Sequence, residues 1–181
     1  MTGFSKHLLK ECGCDVRIAP SVVITHPDLV CIGDHVAIDD FVYVSTGLSI
    51  GKYSHIGPHS SIIGGPATGA VIEDFCSLAA GVRLVCGTDD FLGSGLPNPT
   101  IPEPYRCRKD LRGVVIHKHA ILGTCTVVLT GIAIGEGAAV GARSLVTRDL
   151  EPWSLYVGTP ARKRGPRERE TILAYAARLI D

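Results

Sequence analysis

The 181-residue chain has no stretch of 18 or more apolar residues, so no segment is able to cross a bilayer as a helix. The opening residues, MTGFSKHLLKECGCD, hold no apolar core of secretory-signal length, and the protein is expected in the cytoplasm. Net charge is missing too: 18 Lys and Arg balance 18 Asp and Glu, which argues against a strongly basic surface and hence against a nucleic-acid partner. The seven cysteines, at 12, 14, 31, 76, 86, 107 and 125, are odd in number and scattered. They show neither a disulfide framework nor zinc-ligand spacing, so they are expected to be reduced packing residues, with no metal site. The length suits one domain, and 45% hydrophobic content is enough for a substantial core.

What is present is a period of six. From Ile116 to Glu151 an aliphatic residue opens every sixth position, at Ile116, Leu122, Val128, Ile134, Val140 and Val146, and Gly follows at 123, 135 and 141. Ala120, Thr126, Ile132, Ala138, Ser144 and Leu150 hold the fifth place. Six is neither the helical period nor simple strand alternation. One inward aliphatic per six residues is the mark of a parallel β-helix, in which each hexad is one side of a three-sided coil. The glycines are expected to turn the corners, where a Cβ would crowd.

The same register starts at Ile18 and Ile24, runs through Ile32, Ile38, Val44, Ile50, Ile56 and Ile62, and resumes at Ile72, Leu78 and Leu84. Numbering the sides from Ile32 puts the extra residues before 32, 72 and 116 between side three and side one, so all insertions leave from one corner. In repeat folds that pattern marks a binding face. The largest insertion, 89–115, is rich in Pro and Gly and is expected to be an ordered loop with a function. Residues 1–15 are expected to cap the coil, with one helical turn around Lys6–Glu11; the β-helix spans 16–151. An irregular exit at 152–167 carries Arg162, Lys163, Arg164 and Arg167, with Arg169 just beyond it. Residues 168–180 have helical apolar spacing and are expected to form an amphipathic helix on a coil face or a neighbouring subunit.

The string from Ile134 to Val146, followed by Tyr156-Val-Gly-Thr-Pro-Ala-Arg162, resembles the hexapeptide-repeat acyltransferases of the galactoside, maltose and xenobiotic acetyltransferase group. Within that group Tyr53-Ser-His55-Ile, Asp89-Asp-Phe91 and Asn98-Pro-Thr-Ile-Pro102 are similar to enzymes of surface-polysaccharide and lipopolysaccharide synthesis. The resemblance implies an all-β left-handed parallel β-helix with one large corner loop and a C-terminal α-helix, acetyl-CoA as donor, a homotrimer, and active sites between neighbouring prisms. The family's coenzyme contacts fall on Thr124, Ala142, Thr147, Arg148 and Arg162, with Lys163 and Arg164 nearby; the plain alternative is coil residues and a solubilising basic tail.

The better-known relatives carry a catalytic His where the large loop begins. Here that position is Asp89, and the loop holds no His. A carboxylate near pKa ~4 is a poor base for a sugar hydroxyl. His55, placed at the end of a hexad and hence at a corner, is therefore the candidate general base. Asp89 or Asp90 would orient it across a subunit interface; alternatively, His55 is a corner hydrogen-bonder and the two Asp cap the loop turn. His35, His117 and His119 are expected to decorate a face. The leading reading is an O-acetyltransferase acting on a sugar hydroxyl in surface-polysaccharide assembly. A second is a sugar-nucleotide N-acetyltransferase, whose amine needs no strong base and which suits a loop without His. A third, from another class, is a scaffold or carbonic-anhydrase-like module binding zinc through His55, His59, His117 and His119.

Overall fold

The hexads stack as the register predicts. The computed structural model describes residues 5–180, which wind into a parallel β-solenoid of about seven turns followed by one helix. On side one Ile32 pairs with Ile50, Ile50 with Ile72, Ile72 with Ile116 and Ile116 with Ile134. Side two stacks Ile18, Ile38, Ile56, Leu78, Leu122 and Val140. Side three stacks Ile24, Val44, Ile62, Leu84, Val128 and Val146. Except for the half-buried Ile18, all of these are buried. Residues two places before each of them point inward as well: Val36, Val42, Val82, Ala120 and Ala138 are buried. Each rung thus supplies two inward side chains, and their burial is the main stabilising term, about 1.5–3 kcal/mol for each large aliphatic.

The corners are built differently from the expectation. Gly123, Gly135 and Gly141 sit where successive coils touch: a Cβ on Gly123 would lie 2.6 Å from the Ala142 amide nitrogen, and one on Gly135 2.6 Å from the Leu150 carbonyl oxygen. The left-handed turns fall on other residues: on Gly81 and Gly137 (φ 72° and 64°) at two corners, and elsewhere mostly on side chains of some size. His35, Tyr53, Phe75 and His119 (φ 57°, 55°, 60° and 63°) turn from side one to side two. Phe41, His59, Cys125 and Arg143 (φ 58–61°) turn from side two to side three. Bulky residues adopt this region at a cost, and stacking offsets it. Ring centroids of His35–Tyr53, Tyr53–Phe75 and Phe75–His119 lie 4.6, 5.3 and 5.1 Å apart, nearly parallel, and Trp153 ends the column. Beside the rings runs a column of alternating charge. Lys52 pairs with Asp34 at 2.9 Å and Lys118 with Asp74 at 3.1 Å. The Lys52 hydrogen bond, with the Cys14 N–H, holds the Asp34 carboxyl well below the usual carboxylate range. The corner between sides one and two is thus a structural spine.

His119 is buried in this spine and does not decorate a face. Burial pushes its pKa down; Glu136 and Asp74 oppose that, while Lys118 and Arg167 reinforce it. A folded-state pKa below the unfolded ~6.5 means that the unfolded chain binds the extra proton, so stability falls as pH drops through and below that value. Thermal melts between pH 7.5 and 5 should therefore show a loss that His119→Phe, which keeps a ring against Phe75, partly removes. An identical slope in the variant would rule this out.

Three other expectations are corrected. The helical turn near the start is only a 3-10 turn, Lys6–Leu8, after which Glu11–Cys12 pairs with Cys31–Ile32 as the first rung of side one. The exit is regular: Ser154–Val157 extends side two, with buried Tyr156 in the aliphatic column, and Arg162–Pro166 folds back antiparallel on it. The amphipathic helix forms as expected, over Glu170–Ile180; Ile172, Leu173 and Ala176 of its apolar stripe are half-buried, while Tyr175 and Leu179 remain 65% and 55% exposed. Of the cysteines only Cys76, Cys86 and Cys107 are buried, and burial pushes the Cys76 and Cys86 thiols up to about 12; Cys12, Cys14 and Cys125 are exposed. Among the described residues no helix is long and apolar enough to cross a membrane.

Candidate active site

All three insertions leave from the corner between sides three and one. The large loop rises on a neck in which Thr88–Asp89 pairs antiparallel with Lys109–Asp110. Above the neck the backbone is ordered by polar contacts. Asp90 accepts from the amides of Leu92 and Ser94 at 2.8 and 2.9 Å, and Asp89 accepts from the Asn98 amide at 2.9 Å. Ser94 Oγ accepts from the Arg108 amide, and Arg106 donates to the carbonyls of Pro99 and Ile101. The bonds to Asp90, the Ser94 hydroxyl's first, hold its carboxyl below the ordinary range. Both carboxylates therefore organise the loop turn within the chain. Phe91 and Leu92 are left 89% and 95% exposed at its start.

His55 stands in the middle of side two, immediately before inward Ile56, and not at a corner. Its Nε2 lies 2.8 Å from Asp39 Oδ2, with both side chains about half-buried. Within one chain its carboxylate partner is thus Asp39, one coil earlier, and neither Asp89 nor Asp90. The pair lines a depression of about 820 Å³ together with Lys6, Arg17, His35 and Tyr53. Sequence reasoning missed Asp39. An outward residue just after one register position and one just before the next-coil position are 16 apart, which is the diagonal that His55 spans. A second pair between neighbouring coils, His117 Nδ1 with Glu73 Oε1 at 3.1 Å, fixes the side-one face. His59 stacks on Phe41 with centroids 4.9 Å apart. No group of three or more His, Cys, Asp or Glu is placed to hold a metal among the described residues.

The residues matched to coenzyme contacts fall in three places. Thr124 and Ala142 are exposed at the corner between sides two and three, where the Arg143 amide donates to the Thr124 carbonyl. Thr147 and Arg148 follow side three at the loop corner. Arg162, Lys163 and Arg164 line the returning strand at the end of side two. Lys163 is engaged with Glu151 at 2.5 Å, which raises its pKa, while Arg162 and Arg164 are exposed. Side three separates the first two groups, so one prism does not gather them all on one surface.

Under the loop lies a cavity of about 540 Å³, also unforeseen. Val85 and Leu129 form its apolar floor with Ile132, Phe91 roofs it, and Thr147 stands at its lower end. Arg112 closes one wall. Its guanidinium is paired with Asp110 at 2.6 Å and lies over Gly131, where a Cβ would come within 2.7 Å of it. Gly131 is needed there both for this approach and for its φ of 76°.

Comparison with known proteins places this architecture. No protein-family model matches the chain. It is 34% identical over 167 residues to the dTDP-4-amino-4,6-dideoxy-D-glucose acyltransferase of Escherichia coli, covering 90% of this chain and 85% of the relative. AntD, an N-acyltransferase from Bacillus cereus, crystallised with dTDP and 3-hydroxybutyryl-CoA, superposes with a TM-score of 0.90 at 34% identity over 99% of this chain and 98% of its own. A maltose O-acetyltransferase from Clostridium difficile shares the fold at 17% identity, with a TM-score of 0.60 over 91% of this chain and 73% of its own. The chain belongs to the hexapeptide-repeat β-helix acyltransferases, enzymes that draw their acyl group from an acyl-CoA donor.

Proposed function

We propose that the protein is an N-acyltransferase that acylates the amine of a nucleotide-linked amino sugar, in place of the sugar hydroxyl favoured on sequence alone. The observation that carries this is the large loop, in which Asp89 stands where the better-known relatives carry a catalytic His and no imidazole is present. A hydroxyl needs a strong base to become a nucleophile, whereas a free amine already is one. Relatives that align along nearly the whole chain support the choice: a form of AntD with a serine replaced by cysteine has been crystallised with dTDP-4-amino-4,6-dideoxyglucose and coenzyme A.

In this reading three prisms associate, and the groove between two of them holds both substrates, since a flat coil face supplies only one wall. The pantetheine lies in that groove between Thr124 and Ala142 of one prism and Thr147 of its neighbour, which face it from two different corners. Arg148, Arg162 and Arg164 meet the coenzyme phosphates, and Lys163 joins them on release from Glu151. The sugar nitrogen attacks the thioester carbonyl carbon, and a C–N bond forms. The C–S bond of the tetrahedral adduct then breaks, giving an amide and coenzyme A thiolate. His55, oriented by Asp39, takes the proton from the attacking nitrogen and returns it to the thiolate sulfur. Asp89, presented by the neighbouring prism, faces the developing ammonium. Asp90 holds the loop that carries it. Backbone amides of the coil stabilise the oxyanion.

The test is thiol release from acyl-CoA with paired acceptors: a dTDP-linked 4-amino-4,6-dideoxyhexose and the corresponding 4-hydroxy sugar nucleotide. Release with the amine alone is expected. Equal or greater release with the hydroxyl compound overturns the reading.

A further inference from the structure

We infer that the cavity under the large loop seats the acyl chain of the donor and selects groups longer than acetyl. This rests on the proposed function for the path of the coenzyme and adds the chemical class of the transferred group. Three observations carry it. First, the floor is a column: Leu84, Val128 and Val146 stack in register, so Val85, Leu129 and Thr147, each one residue further on, leave the coil one above another at the loop corner. Thr147, matched to a coenzyme contact, is the end of that column nearer the basic exit strand. A pantetheine arriving from there carries its thioester past Thr147 towards Leu129 and Val85.

Second, the surfaces at that point are apolar. Leu129 is 37% exposed and Phe91 89% exposed, and both face the cavity with Val85 and Ile132. An acetyl group would leave most of this apolar surface wet, whereas a chain of about four carbons shields more of it from water. Third, the polar groups of the rim are already engaged. Thr130 Oγ1 donates to the Cys86 carbonyl at 3.0 Å, and Asp110 is held by Arg112. The inner end of the cavity therefore presents aliphatic carbon and no free charge, which suits an acyl chain and not a phosphate or a base edge.

The experiment measures binding and transfer together on the full-length protein. Calorimetry gives the Kd of butyryl-CoA and acetyl-CoA, and thiol release with the amino-sugar nucleotide gives kcat/KM for each. Butyryl-CoA is expected to bind, and to react where transfer occurs, at least about tenfold better than acetyl-CoA. Leu129→Trp, at an exposed position that fills the cavity without touching the core, should lower that ratio about tenfold. Equal or weaker binding of butyryl-CoA overturns the inference, as does a ratio that Leu129→Trp leaves unmoved. A butyryl preference that depends on Leu129, seen in binding without transfer to any amine, upholds the cavity's role and counts against the proposed function instead.

Discussion

His55→Gln is expected to lower kcat by about a hundredfold or more, within the range that a positioned general base supplies, and to leave KM for both substrates nearly unchanged. Gln fills the same space and can still hydrogen-bond Asp39 but cannot carry a proton between the sugar nitrogen and the thiolate. A fall in kcat and kcat/KM together is the sign of an interaction made only in the transition state. The companion variant Asp39→Asn should act in the same direction but more weakly, because the imidazole stays in place and loses only the negative charge 2.8 Å away that orders its ring and stabilises the imidazolium. Imidazole added to His55→Gly should restore part of the rate. Wild-type turnover in His55→Gln, with assembly and melting unchanged, would assign the pair to the structure of side two alone. Transfer would then depend on the loop carboxylates, and Asp89→Asn would become the damaging change.

The second large effect concerns stability. Leu122→Ala removes a fully buried side chain from the centre of the side-two column, between Leu78 and Val140. A solenoid rung cannot collapse sideways without breaking pairing on both faces, so the cavity should persist, and a loss of about 2–5 kcal/mol is expected. Denaturant unfolding at fixed protein concentration measures it, because the proposed association of prisms would add to apparent stability by mass action. Gly123→Ala, one residue on, should also destabilise for a different reason: the new Cβ would press on the Ala142 amide at 2.6 Å and force two coils apart. A loss below about 0.5 kcal/mol for Leu122→Ala would mean that the column is not a close-packed core.

The contrast between those residues and the site separates what an amino-acid pattern exposes from what it conceals. The aliphatic register was legible throughout, because burial every sixth residue is a strong and repeated constraint; even the three re-phasings marked the corner from which the loop leaves. Corner chemistry was not. Glycine is the usual residue for a positive φ, yet here Phe75 and His119 adopt it because stacking one coil up and one coil down offsets the strain, and stacking cannot be seen without knowing the coil length. The Asp39–His55 pair was hidden in the same way, since its 16-residue separation becomes a contact only once the three hexads close a turn. That the two loop Asp cap the turn was one of the two readings open from the sequence, and the amides of Leu92, Ser94 and Asn98 do take them up; which amides they meet was not legible. The cavity beneath the loop was invisible, because Phe91, inside the insertion, and Leu129, on the coil after it, lie far apart in the chain.

That every excursion departs from one edge has a further consequence for how such a protein can change. Loop length adds only slowly to the entropic cost of closing it, and the antiparallel neck at Thr88–Asp89 and Lys109–Asp110 separates the variable tip from the coil. Segments beyond the neck can be lengthened, shortened or exchanged between relatives while the stacked rungs keep their alignment. If the acceptor binds at this rim, as proposed, new acceptors can be acquired there with the shaft beneath left untouched.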